Sequence, residues 1–400
     1  SIFAWFVQPY QLFSTAPYSN LGFAFLIAGI IASLVLLYAF LFKKWWGADY
    51  NEADAPRLIK DFLWIGALVI VCAILPVILS DRQVELYDAY KSYGLHPIAG
   101  VVLFIAGIVL MFQPKFRSLV PIALIGISVS TQVLNADYWK PFWEYQRQMW
   151  WQLTWRAPDI KDDTLVMTYS SGGYNPQQDY EVWGPINLIY NPEPAETPII
   201  QAEVLNSTTA YNVVGQDVIN NYVRDIKLHR DFNNVLVMSR SPISGCLHVI
   251  DGRLPVYSES ESSLIRQVGE YSRVDRIISS GTAPVPPAAI FGAEPEHGWC
   301  YYYQKASLAR QNGDWEGIVR LYEEALALNL ETADKSELIP FFEAFVNLRR
   351  FEDAETLYHK QIKGNPEMRF SICNFLANDP GYPPEFGYDY ETIYKLLCNS

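Results

Sequence analysis

The chain has 400 residues, 50% of them hydrophobic and 15% aromatic, with a net charge of −13. Residues 1–135 hold 8 Lys+Arg against 7 Asp+Glu, and residues 136–400 hold the other 22 and 36, so the acidity belongs to the second part. A nucleic-acid binder needs clustered Lys and Arg against phosphates, so that class is excluded; the aliphatic and aromatic content excludes a disordered chain.

Four uncharged apolar runs come first: Leu21–Phe42, Phe62–Ser80, Leu95–Phe112 and Leu119–Leu134, of 22, 19, 18 and 16 residues. A spanning helix needs about 20 mostly apolar residues, about 17 at the short end. The series therefore predicts an α-helical membrane domain of four spanning helices over 1–135. The short fourth run carries Ser128, Ser130, Thr131 and Gln132, which can face other helices rather than lipid. No run has the basic flank and small-residue cleavage site of a signal peptide. Position 1 is Ser rather than Met, which leaves processing or upstream sequence open.

Lys43, Lys44, Arg57, Lys60, Lys115 and Arg117 fall in two loops, and the loop between them has only Arg82 and Lys91. The bias of basic residues toward the cytoplasm then places 43–60 and 113–117 inside and 81–94 outside. It predicts a multi-pass protein of the plasma (inner) membrane, with residues 136–400 on the extracytoplasmic side.

Residues 136–160 read as an amphipathic interfacial helix. Trp139, Phe142, Trp143, Trp150 and Leu153 fall on one helical face, suited to a headgroup region. The same face would also serve for packing on the chain's own soluble part.

An α/β domain is expected over 161–283, with strands at 164–169, 186–190, 234–238 and 246–250 and helices near 213–222 and 259–270. It has no GxGxxG, P-loop or GxSxG pattern. Pro284, Pro286, Pro287 and Pro295 mark 284–297 as a linker. Beyond it, Trp315, Ile318 and Tyr322 recur as Phe351, Ala354 and Tyr358, a spacing of 36 residues. That is close to the tetratricopeptide (TPR) period, so 298–400 is predicted to be a short α-helical TPR-like repeat domain. Further helices are expected at 367–377 and 388–398. The array either buttresses the α/β domain or offers a partner-binding face.

Cys72 lies in an apolar run. Cys246, Cys300, Cys373 and Cys398 lie on the side where disulfides persist. Four cysteines allow three connectivities; proximity of elements favours Cys246 with Cys300 and Cys373 with Cys398. Their spacing matches no zinc pattern, and no metal site is expected. Asn206-Ser207-Thr208 matches an N-glycosylation acceptor.

Several motifs occur in one order: Trp150-Trp151-Gln152-Leu153-x-Trp155-Arg156-Ala157-Pro158, Asn187-Leu188-Ile189-Tyr190, Gly245-Cys246-Leu247-His248-Val249-Ile250-Asp251, Phe291-Gly292-x-Glu294-Pro295-x-His297-x-Trp299-Cys300 and Gly313-Asp314-Trp315. This set resembles the C-terminal part of large multispanning bacterial membrane proteins, notably of Chloroflexota, described as C-type, family 39 glycosyltransferase-like. The resemblance covers about residues 100–365. It implies transfer of a sugar from a polyprenyl-phosphate-linked donor to an envelope acceptor, with an acidic residue in the first outward loop as base or metal ligand. That loop would lie upstream of Ser1, so no catalytic residue is carried over.

Within the chain, Asp81 and Asp88 are the carboxylate candidates, with Glu85 in the same loop and Arg82 as a phosphate partner. Asp137 stands at the outer end of the fourth run. Trp139 and Trp143 are binding candidates, since their rings suit sugars or headgroups. No other cofactor is expected. The partners predicted are the lipid bilayer and a protein at the repeats. The alternative to an enzyme is a membrane-anchored scaffold subunit of a surface complex, which four helices would suit better than a complete transferase.

Overall fold

The computed structural model describes residues 4–46, 55–80, 96–113, 117, 119–170, 176, 178–193, 195–223, 226–241, 245–362, 364, 366–378 and 398. It divides into two compact units, Ser1–Pro141 and Phe142–Ser400.

The first unit is built of helices α1 (Ala4–Thr15), α2 (Tyr18–Trp46), α3 (Ala55–Leu79), α4 (Ile98–Met111) and the first part of α5 (Leu119–Arg156). Three of these, α2, α3 and α5, are long and apolar enough to cross a membrane. The run expected as a third span forms only the 14-residue α4, and the fourth run is the start of the 38-residue α5. Among the described residues three helices therefore reach spanning length, and the run expected as a third span is a shorter apolar helix. His96-Pro97 stands directly before the first residue of α4, Ile98. Leu34, Phe40, Trp64 and Leu68 are all more than half exposed, as helices meant for an apolar surround require.

α3 and α4 meet through glycines. A Cβ added at Gly66 would lie 2.6 Å from the Phe104 backbone nitrogen, and one at Gly100 2.7 Å from that of Ile70. Such close backbone approach is how helices associate where burial of apolar surface gives no drive. Elsewhere in the unit Leu12, Ala24 and Leu134 are buried together, and Asn20 hydrogen-bonds the Asp137 carboxylate.

The second unit has a four-stranded sheet in the order β3-β2-β6-β7. Its strands are β2 (Leu165–Ser170), β3 (Gln201–Val204), β6 (Val235–Arg240) and β7 (His248–Val249). β2 pairs in parallel with β3 and β6, and β7 runs antiparallel to β6. Leu165, Val166, Met167 and Val235–Met238 are fully buried, the continuous apolar pattern of a strand covered on both faces. Val166, Leu236 and Met238 face Met149, Trp150 and Leu153 of α5 and Val182, Ile186 and Ile189 of α6 (Tyr180–Tyr190). Leu165, Met167, Val235 and Val237 face α7 (Ser207–Gly215) and α8 (Ser263–Val268). The result is a three-layer α/β/α arrangement. β1 (Asp159–Ile160) pairs with β8 (Ile277–Ile278), and β4 (Val218–Val223) with β5 (Ile226–Asp231), as separate two-stranded ribbons.

Four expectations are corrected here. Residues 186–190 are helix, not strand: the buried Val182, Ile186 and Ile189 repeat every three to four residues, a period that a five-residue window cannot reveal. The stretch 213–222 splits into the end of α7 and the start of β4, at the left-handed Gln216. Of the 136–160 stretch, 136–156 continue α5 and 159–160 are β1, and Met149–Ala157 are not a lipid-facing surface, because they are buried. The 284–297 linker is packed: it holds α9 (Ala288–Phe291) with Phe291 buried, and Phe291 O and Glu294 Oε1 accept hydrogen bonds from Trp151 and Trp155.

Among the described residues the remaining helices are α10 (Trp299–Asn312), α11 (Trp315–Ala327), α12 (Ile339–Asn347), α13 (Phe351–Leu357), a π-helical turn over Tyr358–Ile362, and α14 (Pro366–Asn378). α10 turns into α11 at Gly313 (φ 70°) and α12 into α13 at Arg349 (φ 59°). These two left-handed residues are 36 apart, like Trp315 and Phe351. The helix expected at 388–398 lies outside the described residues, Cys398 aside. Disulfides join Cys246 to Cys300 and Cys373 to Cys398.

Candidate functional site

Asp81, Arg82, Glu85 and Asp88 lie outside the described residues. Trp139 stands edge-on to Tyr138, with centroids 5.6 Å apart. Trp143 is 48% exposed, with the Arg147 guanidinium 5.4 Å from its ring.

The ordered motif residues serve architecture. Gln152 donates to Gly245 O and accepts from Leu247 N. Arg156, fully buried, donates to Gln311 Oε1 at 3.0 Å, and burial pulls its guanidinium down to about 10. Asn187 accepts from Ile199 N and Ile200 N while its amide donates to Ile200 O. Tyr190 donates its hydroxyl proton to Ala157 O. These side chains carry hydrogen bonds that join α5 to the residues before β7, to α10 and to α6, and α6 to the residues before β3; a buried polar group needs such partners.

Two other constellations hold chemistry. The first stands toward the carboxyl end of the parallel strands, where open α/β sheets bind ligands. Arg230 of β5 reaches Asp179 Oδ2 at 2.7 Å, just before α6, and Glu203 Oε2 of β3 at 2.6 Å. Asp179 Oδ1 accepts from Val204 N, and Arg230 also donates to Asn221. The Arg230 side chain is 6% exposed, that of Glu203 16% and that of Asp179 30%. Burial lifts the Glu203 carboxyl to about 7, with Arg230 opposing and Asp179 adding to the rise. A carboxyl of that basicity can take or give a proton near neutral pH. Near the end of β6, Ser239 donates to Glu261 at 2.8 Å, and just beyond it Ser258 donates to Ser241 at 2.8 Å.

The second is deeply buried. His248 of β7 places Nε2 3.2 Å from Glu337 Oε1. Trp299 Nε1 donates to Glu337 Oε2 at 2.6 Å, and Thr332 Oγ1 donates to the same oxygen. Asp334 opens the 3-10 turn Lys335–Leu338, and its Oδ1 accepts from the Ser336 amide and hydroxyl. His248, Asp334 and Glu337 are 2%, 4% and 1% exposed. Burial alone would lower the His248 ring, but the hydrogen bond and charge of Glu337, with Asp334, raise it. Among the described residues this is the group of His and carboxylate side chains whose atoms converge closely enough to hold a metal.

Neither constellation is among the residues singled out from sequence. Glu203 sits in an alternating Gln-Ala-Glu-Val strand, and Arg230 on a hairpin that composition does not mark. His248 lies inside a quoted motif, but its partners are 86 and 89 residues away in a loop. No protein-family model, no curated protein and no solved structure matches this chain.

Proposed function

We propose that this chain is a membrane-anchored protein of the cell envelope whose residues 136–400 stand on the extracytoplasmic side and bind an acceptor or partner there. One observation carries the reading: the same chain holds three helices long and apolar enough to cross a membrane and, after them, two disulfides. Disulfides persist where the surroundings are oxidising. The helix–turn–helix pair repeated at Gly313 and Arg349 supports TPR-like repeats as the partner-binding face.

The glycosyltransferase-like reading stands second, and Glu203 with Asp179 and Arg230 favours it. In that reaction the acceptor hydroxyl attacks the anomeric carbon of a polyprenyl-phosphate-linked sugar. A carboxylate removes the hydroxyl proton, and the lipid phosphate leaves with the bonding electrons. Glu203 is basic enough for the proton transfer, and Asp81 and Asp88 remain candidates for it.

Protease added to intact spheroplasts, with detergent and carbonate extraction of the membranes, tests the anchored reading. The expected result is digestion of residues 136–400 without lysis and release of the intact chain by detergent alone; protection until lysis would contradict it. Transfer of labelled sugar from a polyprenyl-phosphate donor tests the catalytic reading. E203Q, D81N and D88N each report on one candidate base, and full activity in all three would remove them from the reaction.

A further inference from the structure

We propose that His248, Asp334 and Glu337 bind one divalent cation of the class that accepts mixed imidazole and carboxylate ligands, Zn²⁺ or Mn²⁺. One imidazole nitrogen and two carboxylate oxygens is a donor set these ions take. One ligand atom from each residue lies within 4.8 Å of the other two. Around a bound ion such atoms stand roughly 3–4 Å apart, given bonds of about 2.0–2.2 Å. A closure of about 1 Å therefore completes the site, and rotation about side-chain bonds supplies it.

The charge and hydrogen-bond inventory asks for a cation. Two carboxylates are sealed from water beside a single imidazole. Asp334 Oδ1 takes both donors from Ser336, while the buried Oδ2 has no hydrogen-bond partner. A buried oxygen of a carboxylate without a donor is costly, and a metal ion is a partner that needs no hydrogen. Charged and titratable groups around the ring are Glu337, Asp334 and Glu261, with Tyr303 5.4 Å from it, ring centre to ring centre. Trp299 Nε1 and Thr332 Oγ1 donate to Glu337 Oε2, the kind of outer support that orients metal-binding carboxylates.

The three ligands come from two parts of the unit, β7 and the turn before α12. The ion would cross-link them beside the Cys246–Cys300 disulfide, whose cysteines lie two residues before His248 and one after Trp299. The site does not depend on the chain's having transferase or scaffold function.

The test uses the full chain in detergent, stripped with EDTA, dialysed against Zn²⁺ or Mn²⁺ and then freed of unbound metal. Metal content by mass spectrometry and Tm are read together. One equivalent of bound metal and a rise in Tm on loading are expected for the native protein. D334N keeps the His248–Glu337 contact but loses an anionic ligand, so it is expected to bind at least 10-fold more weakly and to show no rise in Tm at the same metal concentration. H248A is expected to do the same. Absence of retained metal in the native protein, with no change in Tm, would overturn the proposal in favour of a metal-free His248–Glu337 pair. Binding by D334N and H248A as tight as that of the native protein would also overturn it, because the ion would then sit elsewhere.

Discussion

Between α3 and α4 the contact runs through Gly66, Gly100 and Gly107, close enough that added Cβ atoms would meet backbone or Leu63 within about 3 Å. Between α10, α11 and α12 it runs through rings: Phe341 lies 5.5 Å from Trp299 and 5.0 Å from Tyr322, centroid to centroid. The apolar unit brings backbones together and leaves large side chains outside. The mixed unit puts large side chains and hydrogen-bonded polar groups inside. The contrast follows from the surroundings each surface suits. In water, burying rings is the main drive; among lipid tails it gives nothing, and close packing must serve.

The largest effect that sharpens this contrast is expected in the ring-packed region. Phe341→Ala should cost about 3–5 kcal/mol in denaturant unfolding of the mixed unit, because a fully buried ring is replaced by a void. The double substitution of Cys246 and Cys300 by Ser should cost about 2–5 kcal/mol, since it frees a long loop in the unfolded chain; the same measurement checks it, and reducing agent should reproduce it. In the apolar unit the rule reverses, and adding atoms does the damage. Gly66→Leu should cost about 1–3 kcal/mol or more, read as lost resistance to SDS unfolding, while Leu68→Ala on the exposed surface of α3 should change little. If Leu68 proved as sensitive as Gly66, the glycine contact would not be what holds the pair.

A further effect concerns pH. The Glu203 carboxyl is raised from 4.5 to about 7 by burial. The folded chain then holds a proton that the unfolded chain has released, so this residue's contribution to stability falls as pH rises between those values. The Tm of native protein minus that of E203Q should therefore decline from pH 4.5 toward pH 7 and level off above it. A flat difference would mean that Arg230 keeps Glu203 ionised throughout.

Where side chains repeat over a long window, the sequence was readable. The long apolar helices α2, α3 and α5 and the 36-residue recurrence of Trp315 as Phe351 follow from pattern alone; β2 and β6 were legible as uninterrupted apolar runs, and the favoured cysteine pairing matches the disulfides found. Short or mixed segments were not readable. Ile186–Tyr190 has the composition of a strand, but belongs to a helix whose first turn is set by Tyr180–Trp183. Trp150 and Leu153 have the spacing of a lipid-facing stripe, and only the sheet that covers them decides otherwise. The carboxylate and His clusters were hidden for a different reason: Asp179, Glu203 and Arg230, like His248, Asp334 and Glu337, are joined by tertiary contacts that no local spacing encodes.

The proposed anchoring of a disulfide-bearing unit outside the cytoplasm by apolar helices has a direct test. Labelling of intact cells with a membrane-impermeant maleimide, after brief reduction with an impermeant phosphine, reads it directly. Label on Cys373 and Cys398 without lysis, and none before reduction, is the predicted result. Label on Cys373 or Cys398 that appears without reduction, or only once the cells are broken, would contradict it.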